Sequence, residues 1–339
     1  MKKGLLILLI LTFLITACKD DQAETNNQEK GDSNPSQLTD TYPLTGMAED
    51  NAVDNRIVAV MVNNHEKARP QTGLSQADIV FEILAEGKIT RFLALYQSEL
   101  PPVVGPVRSA REYYSELAQG YNAIYVYHGA ADFINQSIQD RGIDHLNGSL
   151  YDNEGLFKRE TFRQAPHNSY LQLDELYDEA EAKGYQTTAD YSQMLFLQEG
   201  EKVTGDEALT VEIVYSENPM EIVEYQFDKS TQVYTRFNDH QQTVEMDSEK
   251  PIEISNVFII ETKHEVIDDE GRRSIDLASG GDAYLLQQGV VQKLQWEKLN
   301  GRIVPVKEGK EVPLTPGKTW INVIPEDPGL DTAVTLSSE

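Results

Sequence analysis

The sequence predicts an α/β or α+β N-terminal domain followed by a mostly β C-terminal domain, and three observations carry that reading. Between about residues 50 and 195, β-type apolar runs alternate with amphipathic helical stretches. Beyond about residue 200 the texture changes to short strand-like runs separated by turn residues. Charge divides the chain the same way: residues 51–170 carry 14 acidic and 11 basic side chains, whereas 171–339 carry 34 and 14. A length of 339 residues also exceeds what one hydrophobic core usually serves, which favours two folding units.

Ahead of both domains lies a targeting segment. Lys2 and Lys3 precede an apolar run over 5–15 that is too short to span a bilayer, so 1–17 reads as a secretory signal peptide. The run ends in "LITAC", which resembles the lipobox cut by lipoprotein signal peptidase. That resemblance implies a diacylglyceryl thioether on Cys18 as the membrane anchor. Cys18 is the only cysteine, so no internal disulfide can form. Two acyl chains, worth roughly 0.8 kcal/mol per buried methylene, give a durable tether. Residues 18–41 are almost devoid of apolar side chains and read as a flexible linker reaching roughly 25 Å from the lipid. The expected location is the outer face of the cytoplasmic membrane, lipid-anchored, and Lys19 directly after the cysteine favours a Gram-positive envelope.

Within the first domain, 42–195, "RIVAVMVNN" over 56–64 predicts a buried strand ending in a polar turn. Residues 78–84 and 89–97 predict two more strands. Prolines then lead through "GPVRSAR" over 105–111 to Ser109, a predicted N-cap for a helix over 110–119. "AIYVYHG" over 123–129 predicts a strand, and 131–142 a helix closed by Gly142. In the second domain, 205–328, strands are expected in "LTVEIVY", "EIVEYQF", "QVYTRF", "SNVFII", "AYLLQQG" and "TWINVI". Residues 329–339 read as a polar tail.

The formal net charge of −27 disfavours nucleic acid as a partner, as does export. Against that background the arginines of "GPVRSAR" stand out. Arg108 and Arg111, three apart, would share one helical face, with Ser109 and free helix N–H groups beside them; together they form a candidate anion cradle. Arg91 and Arg163 are further candidates for it. The alternative is that these arginines pair with Glu82, Glu86, Glu112 or Glu116 and staple the domain. His128 ends a predicted strand, where α/β folds often place active-site groups, and with Asp132 it can form a His–carboxylate pair. His128, His167, Glu82 and Glu86 are the candidate acid/base groups, although on a strand Glu82 and Glu86 would lie about 13 Å apart. No metal and no cofactor are expected, since there is no HExxH and no tight histidine cluster, and the absence of Gly-x-Ser-x-Gly argues against nucleophilic catalysis.

The stretches at 42–46, 68–96, 105–111, 128–130 and 167–170, with the later "W-x-K" and "PGKTW", resemble the YerB-like bacterial lipoproteins of Firmicutes, a family grouped under a domain of unknown function. The resemblance spans about 42–326 and implies an extracytoplasmic lipoprotein with an α/β domain then a β domain. It implies no reaction. Leu294 stands where related chains often carry Gly. Three functions remain open: a binding module for an anionic envelope ligand such as peptidoglycan carboxylate, teichoic-acid phosphate or an acidic partner protein; a cell-wall hydrolase or transferase using the Arg/His face; and a structural scaffold.

Overall fold

The computed structural model describes residues 41–48, 54–152, 155–217 and 220–339. The signal segment, Cys18 and all but the last residue of the predicted linker lie outside the described residues. In chain order the first half supplies β1 (Val58–Asn63), β2 (Ile79–Leu84), β3 (Thr90–Tyr96), β4 (Val103–Val104), α1 (Glu112–Gly120), β5 (Ile124–Tyr127), α2 (Asp132–Asp140), β6 (His145–Asn147), β7 (Phe157–Arg159), β8 (Ser169–Gln172) and α3 (Leu176–Ala182). The second half supplies β9 (Asp206–Glu207), β10 (Thr210–Glu217), β11 (Met220–Asp228), β12 (Val233–Asn238), β13 (Gln241–Gln242), β14 (Glu253–Ile254), β15 (Asn256–Thr262), β16 (His264–Val266) and β17 (Arg273–Ile275). It continues with β18 (Gly281–Gln287), β19 (Val290–Leu299), β20 (Arg302–Lys307), β21 (Lys310–Glu311), β22 (Thr319–Pro325), α4 (Leu330–Ala333) and β23 (Val334–Ser337).

An α/β first half and a β-rich second half are both present, and one sheet runs through them. Its 12 strands follow the order β21-β20-β19-β18-β15-β22-β2-β3-β1-β5-β6, with β9 beside β19. The join is β22, which pairs in parallel with β15 on one side and with β2 on the other. Period-2 alternation sorts the strand side chains onto two faces. Val58, Val60 and Val62 of β1 enter one core with Phe92 and Trp320, while Ala59 and Met61 enter the other with Phe81 and Ile321. Tyr113, Leu117, Ile134 and Ile138 of α1 and α2 cover the second face. The first packs against Val211, Val223, Tyr225 and Tyr234 of a six-stranded sheet ordered β13-β12-β11-β10-β23, with β14 attached to β12. Burial on both faces explains why the central strands read as unbroken apolar runs.

Two elements differ from the sequence reading. Residues 329–339, expected as a polar tail, carry α4 and β23, and β23 pairs antiparallel with β10 from Ile213↔Val334 to Thr210↔Ser337. The segment is too short for its periodicity to register alone, and it closes the free edge of β10. The helix expected from residue 110 begins instead at Glu112, because residues 107–110 are held extended by neighbouring strands.

Between the two sheets lies a buried polar network. Glu82 on β2 and Arg236 on β12 are both 0% exposed and form a two-pronged pair, Nη2–Oε1 2.7 Å and Nε–Oε2 3.2 Å. Glu82 also accepts from Trp320 Nε1 at 2.9 Å, and the Arg236 guanidinium lies 4.9 Å from the Trp320 ring centre. The Thr90 hydroxyl is 2.9 Å from Glu82 Oε1 and 2.9 Å from Glu221 Oε1, while Asn64 Nδ2 donates to it at 2.8 Å. One hydroxyl proton cannot serve two carboxylates, so the arrangement is satisfied when Glu221 carries its own proton and donates it. Burial pushes Glu221 up to about 7, with Glu82 reinforcing the shift and Arg69 opposing it.

Removing Glu82 leaves Arg236 as an unpaired buried cation. Glu82→Ala is therefore expected to lower the unfolding free energy by about 3–5 kcal/mol, measured by chemical denaturation. Glu221 titrates higher in the folded state than in the unfolded chain. Its contribution is complete below its ordinary carboxylate range and is lost as pH rises through about 7. Glu221→Gln does not titrate, so its stability relative to wild type should improve between about pH 5 and pH 8, by at most roughly 3 kcal/mol. Thermal melts across that range would show a constant difference if Glu221 were ionised throughout.

Candidate anion-binding site

The parallel strands β1, β5 and β6 end side by side, and α1 and α2 both start from that end of the sheet. Crevices beyond the carboxyl ends of such strands are where α/β proteins place ligands. Here β1 and β5 pair only from Val58↔Ile124 to Val60↔Val126. Residues 106–110 then wedge between their diverging ends. Arg108 N donates to Met61 O at 2.9 Å on the β1 side, while His128 N donates to Arg108 O at 2.9 Å and Ala110 N to Gly129 O at 3.0 Å on the β5 side. Gly105, whose peptide bond to Pro106 is cis, leads into the wedge; a Cβ there would come within 2.7 Å of the Tyr170 ring.

The wedge places the arginines differently from a shared helical face. Arg111 is extended, at φ −134° and ψ 154°, and precedes the first turn of α1. Ser109 Oγ donates to His128 O at 3.2 Å and does not cap the helix. Arg91, opposite Asn63 in the β1–β3 register, pairs with Glu86 at 2.5 Å and reaches Ser109 O at 3.0 Å. Arg111 pairs with the other oxygen of the same Glu86. Burial raises Glu86, but the two guanidiniums outweigh it and hold the carboxyl below its usual range. Two cations on one carboxylate leave a surplus positive charge.

Arg108 adds another. Its Nε is buried without a hydrogen-bond partner among the described residues. Burial, then repulsion from Arg91 and Arg111, pulls its pKa down to about 10, so it stays protonated near neutrality. A guanidinium in that state has donors available to an anion. Arg163, by contrast, is tied to Ala68 O at 2.6 Å, Pro70 O at 2.5 Å and the Tyr170 hydroxyl at 3.0 Å. These partners are uncharged, so its charge still adds to the local field.

The histidines are wired by their neighbours. His128 Nε2 lies 3.1 Å from Arg159 Nη2, which can only donate; Nδ1 therefore carries the proton and donates to Ser169 Oγ at 2.7 Å. Burial, with Arg159 and Arg108, lowers its proton affinity against the pull of Asp152, 4.0 Å away. The ring is neutral and its lone pair is occupied, a poor arrangement for a general base. Its carboxylate neighbour is thus Asp152, not Asp132. His167 Nδ1 accepts from Asn63 Nδ2 at 2.9 Å, and Asn63 Oδ1 accepts from His65 N at 3.0 Å. The rings of His65 and His167 sit 4.7 Å apart.

The family models for the N-terminal and C-terminal domains of DUF3048, described as protein of unknown function, match residues 44–186 and 211–321. The chain belongs to the DUF3048 family. It is 43% identical over 330 residues to the Bacillus subtilis (strain 168) protein named "Putative lipoprotein YerB", covering 96% of each chain. The crystal structure of YerB protein from Bacillus subtilis matches with a TM-score of 0.81 at 45% identity, covering 88% of this chain and 99% of that one.

In this DUF3048 chain the structure brings Arg91, Arg108, Ser109, Arg111, His128 and His167 to one end of the sheet as a candidate site, with Glu86 between Arg91 and Arg111. Glu82 does not reach it; the carboxylate is sealed between the sheets by Arg236. His65, Asn63, Asp152, Arg159 and Ser169 lie beside these groups, and the sequence signal for the first pair was the polar "NNH" at the end of β1. Gly148 is another: a Cβ there would lie 2.6 Å from His128 Nδ1, so the glycine makes room for the ring. If Arg159 holds His128 neutral, Arg159→Ala should raise the His128 pKa, read from its ring proton shifts in an NMR titration; an unchanged midpoint would remove Arg159 as the cause.

Proposed function

We propose that this chain is an extracytoplasmic lipoprotein, anchored through Cys18 to the outer face of the cytoplasmic membrane, whose N-terminal half holds an anionic group of the cell envelope. The observation that carries the reading is the Arg108 guanidinium: buried at Nε, without a partner among the described residues, and set at the carboxyl ends of β1 and β5 beside two arginines that share one carboxylate. The anchor rests on the "LITAC" sequence and on the printed name of the Bacillus subtilis relative. Among the described residues no helix is long and apolar enough to cross a membrane.

Binding is favoured over hydrolysis because His128 and Glu86, two of the acid/base candidates that reach the site, have their lone pairs engaged. His128 gives its Nε2 lone pair to Arg159, and Glu86 is claimed twice. A hydrolase needs a base able to take a proton from water, and neither group is placed to do so. The ligand classes that match the donors are teichoic-acid phosphate, a peptidoglycan carboxylate, or an acidic patch on another envelope protein.

Co-sedimentation of the detergent-solubilised full-length protein with isolated walls tests this. Wild type should be retained without releasing soluble product. Arg108→Ala should weaken retention by about tenfold or more, as expected for loss of a charge-assisted contact. Product release that disappears in His128→Ala would overturn the binding reading in favour of the enzyme.

A further inference from the structure

The carboxylate of Glu86 marks a seat for an anion that the chain fills itself. Its Oε2 takes Arg91 Nη2 at 2.5 Å, and its Oε1 takes the Arg111 guanidinium. Two guanidiniums on the two oxygens of one carboxylate are the arrangement that would receive a carboxylate from outside. Glu86 belongs to the turn between β2 and β3, where the next residue, Gly87, is exposed and left-handed at φ 64°.

The grip on that turn comes from the other half of the chain. Arg273 on β17 donates from Nε to Ala85 O at 3.0 Å and from Nη2 to Gly87 O at 2.6 Å, so one guanidinium holds the carbonyls on both sides of Glu86. Gly271, at the tip of the same hairpin, lies against the turn: a Cβ there would stand 3.5 Å from Gly87 N. The neighbouring Arg272 spends its charge on Asp268 at 2.7 Å and Glu270 at 3.3 Å, within the hairpin itself.

The hairpin is built to hold lightly. β16 and β17 pair from His264↔Ile275 to Val266↔Arg273 and form a two-stranded sheet of their own, a ribbon that is marginal without other support. Ile275 and Leu277 root its base in the core that α1 covers, whereas Val266 and Ile267 towards the tip are 59% and 49% exposed. Apolar packing thus anchors the base, and Arg273 ties down the end that reaches Glu86.

Resting on the anion-binding reading above, we infer that the β16–β17 hairpin is a strap: through Arg273 it holds Glu86 as an internal anion on Arg91 and Arg111, and so sets from the second half how readily a carboxylate-bearing ligand takes that seat. Arg273 acts through Glu86, as a positioning residue.

The test is calorimetric titration of the detergent-solubilised full-length protein with triglutamate. Removing a cation near an anion site weakens binding if charge alone matters, whereas the strap predicts the opposite sign. Arg273→Ala should bind triglutamate about fivefold more tightly than wild type. Arg273→Lys, which keeps the charge but cannot span both carbonyls, should also bind more tightly. Glu86→Gln should tighten binding too, and adding Arg273→Ala to it should bring no further gain. Unchanged or weaker binding in Arg273→Ala, or a gain that persists in the Glu86→Gln background, would refute the strap. If Arg108→Ala still weakens binding in that case, the anion reading stands without the strap; if Arg108→Ala has no effect, both fall.

Discussion

The pair between Glu82 and Arg236 fixes how the two halves of the chain meet. Neither side chain touches solvent, and each would be costly to bury alone. Their two-pronged geometry, reinforced by Trp320 and Thr90, ties β12 to β2 and β22. Apolar packing between sheets tolerates sliding, whereas a pair of this kind does not. Its contribution is thus best understood as register between layers, since an apolar substitute of equal volume can match a buried ion pair in stability.

The candidate anion site adjoins that network. Asn64 binds Thr90 and Asn238 within the buried network, and its neighbour Asn63 orients both His65 and His167. Arg69, six residues past β1, clamps the same corner by pairing with Asp239 at 2.7 Å and donating to Asn64 O at 2.9 Å. Residues at the end of one strand therefore look inward to the ionic core and outward to the paired histidines. The wedge at 106–110 completes the arrangement by keeping β1 and β5 apart where Arg108 and His128 emerge.

Much of the fold was legible because strands buried on both faces announce themselves as apolar runs, and β1, β3, β5 and the six predicted strands of the second half all lie where the pattern placed them. The start of α1 was not, because Ser109 is a good cap by composition but is committed to His128 O. Local propensity lost to tertiary hydrogen bonds at that position. For the site, Arg91, Arg108, Arg111, His128 and His167 were visible as residue types in the right segment. Which arginine would lack a carboxylate was not, since Glu86 lies 25 residues from Arg111 and chooses its partners only in three dimensions. Glu82 shows the same limit more strongly: its cation lies 154 residues away in the other half.

The position of β22 has a consequence for how the chain reaches this state. A strand from residues 319–325 completes the sheet on the open side of β2, a strand from residues 79–84. For a chain delivered N-terminus first, β2 keeps an unsatisfied edge until almost the whole sequence has emerged. Such high contact order slows folding and prolongs the exposure of an apolar strand to other chains. Glu82 lies on that strand, so during the wait a carboxylate sits in the middle of an otherwise sticky edge. The residue that later locks the layers together also guards the half-built sheet against pairing with the wrong neighbour.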